Sequence, residues 1–222
     1  MLTIKDVYKT FNPGTINEKK ALQGLNLHVH PGDFITIIGG NGAGKSTMLN
    51  MVAGVYPIDS GSIVLDGDDI SKKPEYQRAG NLGRVFQDPM MGTASSMEIQ
   101  ENLALAYRRG KKRGLGWGIT KKEKEIFQTA LKSLDLGLED RMTSKVGLLS
   151  GGQRQALTLL MASLQRPKVL LLDEQTAALA PKTATKVLDL TVNIAATYKP
   201  TALMVSHNMK DSICIGHRVN ML

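Results

Sequence analysis

The strongest constraint on this chain is one octapeptide, Gly39-Gly40-Asn41-Gly42-Ala43-Gly44-Lys45-Ser46, read together with its flanks. Before it, residues 33–38 carry a continuous apolar run of the kind a strand needs when both of its faces are covered. After it, Met48, Leu49, Met51 and Val52 recur at helical spacing until Gly54 and Pro57 stop the helix. Strand, glycine loop and helix in that order make the pattern G-x-x-x-x-G-K-[ST] a phosphate cradle. A merely structural glycine turn would have no reason to sit between such flanks. Gly39, Gly42 and Gly44, with Asn41 and Ala43 between them, let the backbone curl so that N–H groups point inward. The helix N-terminus adds roughly half a positive charge toward the anion. Lys45 is then placed to bridge the β- and γ-phosphates of a nucleotide, Ser46 to give a hydroxyl to Mg2+, and Thr47 to donate to a more interior phosphate.

A second segment supplies the complementary chemistry. Residues 168–174, Lys-Val-Leu-Leu-Leu-Asp-Glu, read as a short aliphatic strand that delivers two carboxylates at its C-terminal end, where open parallel sheets bind their ligands. Asp173 is assigned to Mg2+, through water. Glu174 is assigned as the general base or polariser for the water that attacks the γ-phosphate. The plainer alternative, two acids capping a following helix, loses weight beside Lys45.

Around these motifs the chain alternates in character. Residues 2–11 and 21–29 read as strands joined by a turn-rich loop over 12–20, and 62–65 with the Asp66-Gly67 turn and the polar stretch to Asn81 reads as a small antiparallel excursion. Residues 82–86 return as a strand. From 87 to about 149 helix formers dominate, with helices expected over 98–107 and 121–134, followed by helices over 150–164 and around 184–197. A strand over 202–206, a short helix over 209–215 and a last strand over 218–222 complete the reading. The loop 108–118 carries Arg108, Arg109, Lys111, Lys112 and Arg113. A solvated connector is the expectation there, with contact to lipid head groups or a membrane partner as the second reading.

Composition removes several classes. With 222 residues, 42% of them hydrophobic and 22% charged, the chain has enough apolar surface to fold by burial. The single cysteine, Cys214, cannot form an internal disulfide, and the start MLTIKDVYKTF lacks the basic-then-apolar layout of a secretory signal, so a reducing cytoplasm is expected. The most apolar stretch, around 169–172, falls far short of the roughly 20 residues that cross a bilayer. A formal charge of +8 suits a polyphosphate, and one Trp, five Tyr and four Phe with no interleaved basic run make nucleic acid an unexpected partner.

Which branch of nucleotide-binding proteins this is turns on Leu149-Ser150-Gly151-Gly152-Gln153-Arg154-Gln155. The string resembles the signature sequence of the ATP-binding cassette (ABC) ATPases, and it lies shortly before the Asp173-Glu174 strand as in that family. The resemblance extends over essentially the whole chain. Physically, Ser150 is a helix N-cap followed by two glycines, a second helix-terminal anion site with no second phosphate loop to serve. The resemblance implies a head-to-tail pair of cassettes, a second copy or a homologue, in which Ser150, Gly151, Gly152 and Gln153 of one clamp the γ-phosphate held by Lys45 of the other. It also implies a catalytic role near Mg2+ or the attacking water for Gln87 and a γ-phosphate contact for His207. Phe11 is placed against adenine, with Tyr8 near enough to compete and core packing of either as the plain alternative. The implied fold is α/β: a P-loop NTPase (RecA-like) core over 1–86 and 150–222 with an antiparallel β-subdomain, and an inserted helical subdomain over 87–149.

One departure stands out. After Glu174 the family continues toward T-S-A-L-D, whereas this chain reads Gln175-Thr176-Ala177-Ala178-Leu179-Ala180. Ala180 removes an aspartate that crosses the dimer interface in the family, so slow or uncoordinated hydrolysis with intact ATP binding is expected. The sequence stops at Leu222 in the last expected strand, so a regulatory or edge-closing C-terminal segment is expected to be missing. The resemblance further implies membrane permease subunits docked beside Gln87, where Pro89-Met90-Met91 presents apolar side chains, and an extracytoplasmic solute-binding protein in the same system. Small-solute import at the cytoplasmic face of the membrane is the expected role. A soluble ABC ATPase and a nucleotide-gated interaction module with weak hydrolysis are the rival readings.

Overall fold

The computed structural model describes residues 1–111, 118–174, 176, 179–198, 200–206 and 218–221. Its strands sort into two sheets by how many of their faces are covered. β1 (Leu2–Phe11) and β2 (Lys19–Val29) form a long antiparallel hairpin, with Leu2 opposite Val29 and Phe11 opposite Lys19. β3 (Phe34–Ile38) leaves that sheet and leads through the glycine loop into α1 (Lys45–Ala53), after which β4 (Ser60–Leu65) returns to pair with β1 and β5 (Asp68–Asp69) with β4. The antiparallel order is therefore β2-β1-β4-β5, and these strands mix buried and exposed positions.

The parallel sheet is assembled from distant segments. α2 (Glu75–Arg78) precedes β6 (Leu82–Val85), and α3 (Ile99–Tyr107), α4 (Lys121–Lys132) and α5 (Gly151–Ser163) precede β7 (Val169–Asp173). α6 (Pro181–Tyr198), β8 (Thr201–Val205) and β9 (Arg218–Met221) follow, giving the order β6-β7-β8-β3-β9. All five residues of β3, of β7 and of β8 are buried, which explains why their sequences run apolar without alternation. On one face Met48, Leu49 and Val52 of α1 pack with Ile35, Ile37, Leu171 and Val205 and with the inner side of the antiparallel sheet. On the other, Leu159 and Ala162 of α5 pack with Phe34, Leu170, Leu172 and Met204.

α5 has a second buried side. Ala156, Leu157 and Leu160 join Ile99 and Leu103 of α3 and Phe127 and Leu131 of α4 in a separate helical core. No helix among the described residues is long and apolar enough to cross a membrane.

Three expectations need correction. The stretch 66–81 is not wholly strand and turn: Pro74 leads into a single helical turn, α2, because Arg78 is drawn inward to bond backbone carbonyls. The 12–20 loop is shorter, since β2 already pairs from Lys19. At the start of the basic loop Arg108 and Arg109 are half-buried rather than fully solvated, while Lys111 is exposed. Arg108 ion-pairs with Glu123 at 2.9 Å, Arg109 donates to the Ala162 carbonyl at 3.2 Å, and Lys111 sits 4.1 Å over the Tyr107 ring. The expected helix over 209–215 and the positions Lys112, Arg113, Cys214 and Leu222 lie outside the described residues.

Arg78 joins the glycine-loop helix to the rest of the molecule. Its Nη1 donates to the carbonyls of Met51 at 2.7 Å and Val52 at 3.0 Å in the last turn of α1, where the Met51 carbonyl also accepts from Gly54 N–H. Its Nε and Nη2 donate to Lys73 and Ser71. Replacement Arg78→Ala removes the hydrogen bonds to the Met51, Val52, Ser71 and Lys73 carbonyls and is expected to lower unfolding free energy by about 3 kcal/mol, with Arg78→Lys recovering less than half in urea titrations.

Candidate functional site

Parallel register brings the predicted chemical groups to one edge. Val85 pairs with Leu172, Asp173 with Val205, and Ile37 with Val205, so Gln87, Asp173, Glu174 and the loop starting at Gly39 all leave the sheet at its C-terminal end. His207 belongs just past β8 but lies outside the described residues.

The glycine loop is shaped by what lies beneath it. A Cβ at position 44 would stand 2.5 Å from the Ala21 carbonyl oxygen and 2.7 Å from a Leu22 methyl, and Gly44 has φ +94°, so both space and backbone demand glycine. Gly44 then begins α1 by accepting from Met48 N–H at 2.8 Å, while Ala43 N–H bonds Gly40 at 3.2 Å. Lys45 is buried, and its ammonium donates to the Gly39 and Gly40 carbonyls at 2.8 and 2.9 Å. Gly40, Asn41, Gly42 and Ser46 are exposed, while Thr47 lies half-buried on the first turn of α1. The loop is thus presented to solvent with its cation folded over it.

Ser46 donates to Asp173 Oδ1 at 3.2 Å, so a hydroxyl and a carboxylate from opposite ends of the sequence meet. Burial pushes the Asp173 carboxyl above its ordinary value; the Ser46 bond and the positive charges of Arg84 and Lys45 pull it down, and the Glu174 charge pushes it up. Two hard oxygens at a buried carboxylate fit a magnesium ion, which would relieve that burial cost. Glu174 follows with φ +41°, an uncommon conformation for a non-glycine residue. Its N–H bonds the Val205 carbonyl at 3.1 Å, tying it to β8. α6 begins seven residues later at Pro181, so these acids do not cap it.

Phe11 stands at the end of β1 opposite Lys19, whose ammonium is 3.7 Å from where a Cβ of Gly42 would be. That places Phe11 at the side of the glycine loop, with its ring edge-on to Tyr56 at 5.3 Å. Tyr8 instead lies across Gly24 of β2. Gln87 is exposed at the start of the loop after β6, as are Met90 and Met91.

Ser150 caps α5 reciprocally: its Oγ accepts from Gln153 N–H at 3.3 Å, and its own N–H donates to Gln153 Oε1 at 3.1 Å. The second glycine has a packing reason, since a Cβ on Gly152 would fall 1.9 Å from a Thr183 methyl on α6. Gly151 is exposed, and a Leu179 methyl approaches within 3.7 Å of where its Cβ would stand. α1 and α5 cover opposite faces of the parallel sheet, so the Ser150 turn and the Lys45 turn are separated by that sheet. The structure gathers Lys45, Ser46, Asp173 and Glu174 into one cluster and leaves Ser150 to Gln153 outside it.

Sequence reading missed Lys19, Tyr56, Thr183 and Arg84. Only Arg84 left a signal, as a lone charge within the apolar strand Leu-Gly-Arg-Val.

Residues 22–177 match the family model described as ABC transporter. The chain is 44% identical over 223 residues to the tyrosine transport ATP-binding protein of Clostridioides difficile, covering 100% of this chain and 88% of that one. It is 36% identical over 227 residues to the methionine import ATP-binding protein MetN of Vibrio vulnificus, where it spans 62% of the relative's length. The solved dimeric post-hydrolysis structure of the ATP-binding cassette MJ0796, bound to ADP and Pi, superposes with a TM-score of 0.84 at 28% identity, covering 100% of this chain and 94% of that one.

Two tests follow from the packing and the charge. Gly152→Ala is expected to destabilise by about 1–3 kcal/mol through overpacking, and Thr183→Ala in the same chain to return more than half of it. Because the folded state holds the Asp173 proton more tightly than the unfolded state, stability falls as pH rises from the ordinary carboxylate value of 3.8. In metal-free buffer Asp173→Asn is therefore expected to melt higher than wild type at pH 7.5, the gap closing as pH is lowered toward 4.

Proposed function

The chain belongs to the ABC transporter family as an ATP-binding and ATP-hydrolysing subunit, and from that premise we propose that two copies close head to tail around ATP to drive import of a small solute through separate membrane subunits. The observation that carries the dimer is the separation of the two anion-suited helix termini by the parallel sheet. A single copy offers a triphosphate Lys45 and the start of α1 on one face, and the Ser150 cap at the start of α5 on the other. Two opposed copies bring one of each to every phosphate chain. The dimeric MJ0796 cassette supports this reading, and the tyrosine and methionine relatives support an amino acid as cargo.

In the proposed site Gly39, Asn41, Gly42, Ala43 and Gly44 wrap the phosphates, and the Lys45 ammonium leaves the Gly39 and Gly40 carbonyls to meet the β- and γ-oxygens. Phe11 lies against the base. Ser46 and Asp173 would hold Mg2+, helped by Gln87, and the ion when bound neutralises charge that develops between the β- and γ-phosphates. Glu174, held by the Val205 carbonyl, takes the proton of the attacking water, with Gln87 orienting that water and His207 contacting the γ-phosphate. Loss of the γ-phosphate removes the anion that both turns grip, and the pair opens. Residues 1–86 and 150–222 form the nucleotide-binding unit and 87–149 the helical unit that faces the permease on the cytoplasmic side, with a solute-binding protein outside.

Sedimentation of Glu174→Gln tests the dimer: ATP is expected to convert it from monomer to dimer, and Lys45→Ala to prevent this. Ser150→Arg is expected to bind ATP within about twofold of wild type yet remain monomeric; a Ser150→Arg dimer of unchanged stability would overturn the head-to-tail reading. Ala180 is exposed where the family carries an interfacial aspartate, so Ala180→Asp is expected to raise steady-state ATPase activity several-fold. No increase would remove Ala180 as the cause of slow turnover.

A further inference from the structure

Phe11 is half-buried at the end of β1, and a ring there needs support from outside the strand to keep one orientation. That support comes from the turn that closes α1. Gly54, at φ +89°, ends the helix with its N–H on the Met51 carbonyl at 3.1 Å, and the Val55 N–H returns to the Asn50 carbonyl at 2.9 Å. A Cβ at position 54 would stand 2.8 Å from Arg78 Nε, so the turn is closely packed as well as hydrogen-bonded. Tyr56 follows directly, and its ring meets Phe11 with centroids 5.3 Å apart and planes at 81°. Three residues on, Asp59 ties the same turn to β1. Its N–H donates to the Tyr8 carbonyl at 3.0 Å, and its two carboxylate oxygens accept from Lys9 Nζ at 2.8 Å and from the Thr10 N–H at 2.6 Å. The Lys9 ammonium lies 5.5 Å from the Phe11 centroid.

Tyr8, Lys9 and Thr10 are the three residues before Phe11, so residues 54–59 are fixed to α1 at one end and to the approach of Phe11 at the other. A perpendicular ring pair is attractive and sets an angle. A nucleotide base stacks instead on a ring face parallel to its own, so the Tyr56 contact aims the Phe11 ring without standing in for the base. We propose that Tyr56 is a positioning residue for nucleotide binding: edge-on to Phe11, it holds that ring at the angle from which it stacks on the base. This rests on the reading of Phe11 above and names what aims the ring. Tyr56 is joined through α1 to Lys45, so the phosphate grip and the base platform are carried by one helix and its closing turn.

The test compares binding of ADP and of inorganic pyrophosphate, each with Mg2+, because both present a diphosphate and only ADP has a base. Phe11→Ala is expected to weaken ADP binding about tenfold and Tyr56→Ala about fivefold, both leaving pyrophosphate within about twofold of wild type. Tyr56→Phe keeps the ring and is expected to bind ADP within about twofold of wild type. Acting only through Phe11, Tyr56→Ala is expected to add nothing in the Phe11→Ala chain. A further loss in that double variant, or an equal loss for pyrophosphate, overturns the positioning role: the first makes Tyr56 a base contact of its own, the second a support of the glycine loop. If Phe11→Ala binds ADP like wild type, the base reading of Phe11 falls and the role of Tyr56 with it. If Phe11→Ala weakens ADP and Tyr56→Ala does not, the role of Tyr56 alone falls. Tyr56 is 37% exposed, so truncation leaves no buried cavity. Should Tyr56→Ala still melt early, Tyr56→Leu, which keeps apolar bulk without a ring, takes its place with the same expectation.

Discussion

A neutral backbone holds a polyanion only where several N–H groups converge, and here that convergence depends on how closely the first turn of α1 rests on β2. With the Ala21 carbonyl 2.5 Å from where a Cβ of Gly44 would be, the chain has no room for a side chain at that position. The hairpin of β1 and β2 is thus the anvil on which the glycine turn is bent. It also carries Phe11 and Lys19 to the side of the loop. Arg78 anchors the other end of α1, so the helix is held at both termini, one by steric contact and one by hydrogen bonds.

Opposite that helix, the sheet acts as a partition. α1 and α5 each begin in a turn suited to anions, and each is committed to its own face by a different apolar cluster. A helix dipole acts on charges only within about a turn of the helix terminus, so neither start assists the other within one chain. The proposed dimer is the arrangement that removes this separation. Gly152 shows how tightly the second turn is set, because only the lack of a Cβ lets α5 lie against Thr183 of α6.

Charge burial marks the remaining features. Asp173 is kept from water and its carboxyl pushed up, a cost that a bound cation would offset. Arg84 and Arg109 show the converse, cations half-withdrawn from solvent with nitrogens left unbonded. Asn50 ties Arg84 to α1, the helix that carries Ser46.

Local pattern was enough for much of this. Residues 39–46 between an apolar run and a helical run are a phosphate cradle because small residues, lysine and flanks act over a few residues. Likewise the aliphatic strand ending in Asp173 and Glu174, the Ser150 cap and the limits of most helices follow from neighbours along the chain. What the tertiary structure decided are relations between distant segments: the meeting of Ser46 with Asp173, the sheet that parts the Ser150 turn from Lys45, and the inward turn of Arg108 and Arg109 from a loop that reads as solvated. Burial and partnership of a charged side chain depend on what folds over it. A one-dimensional pattern carries no record of that, which is why the motifs were legible and the partners of the buried arginines were not.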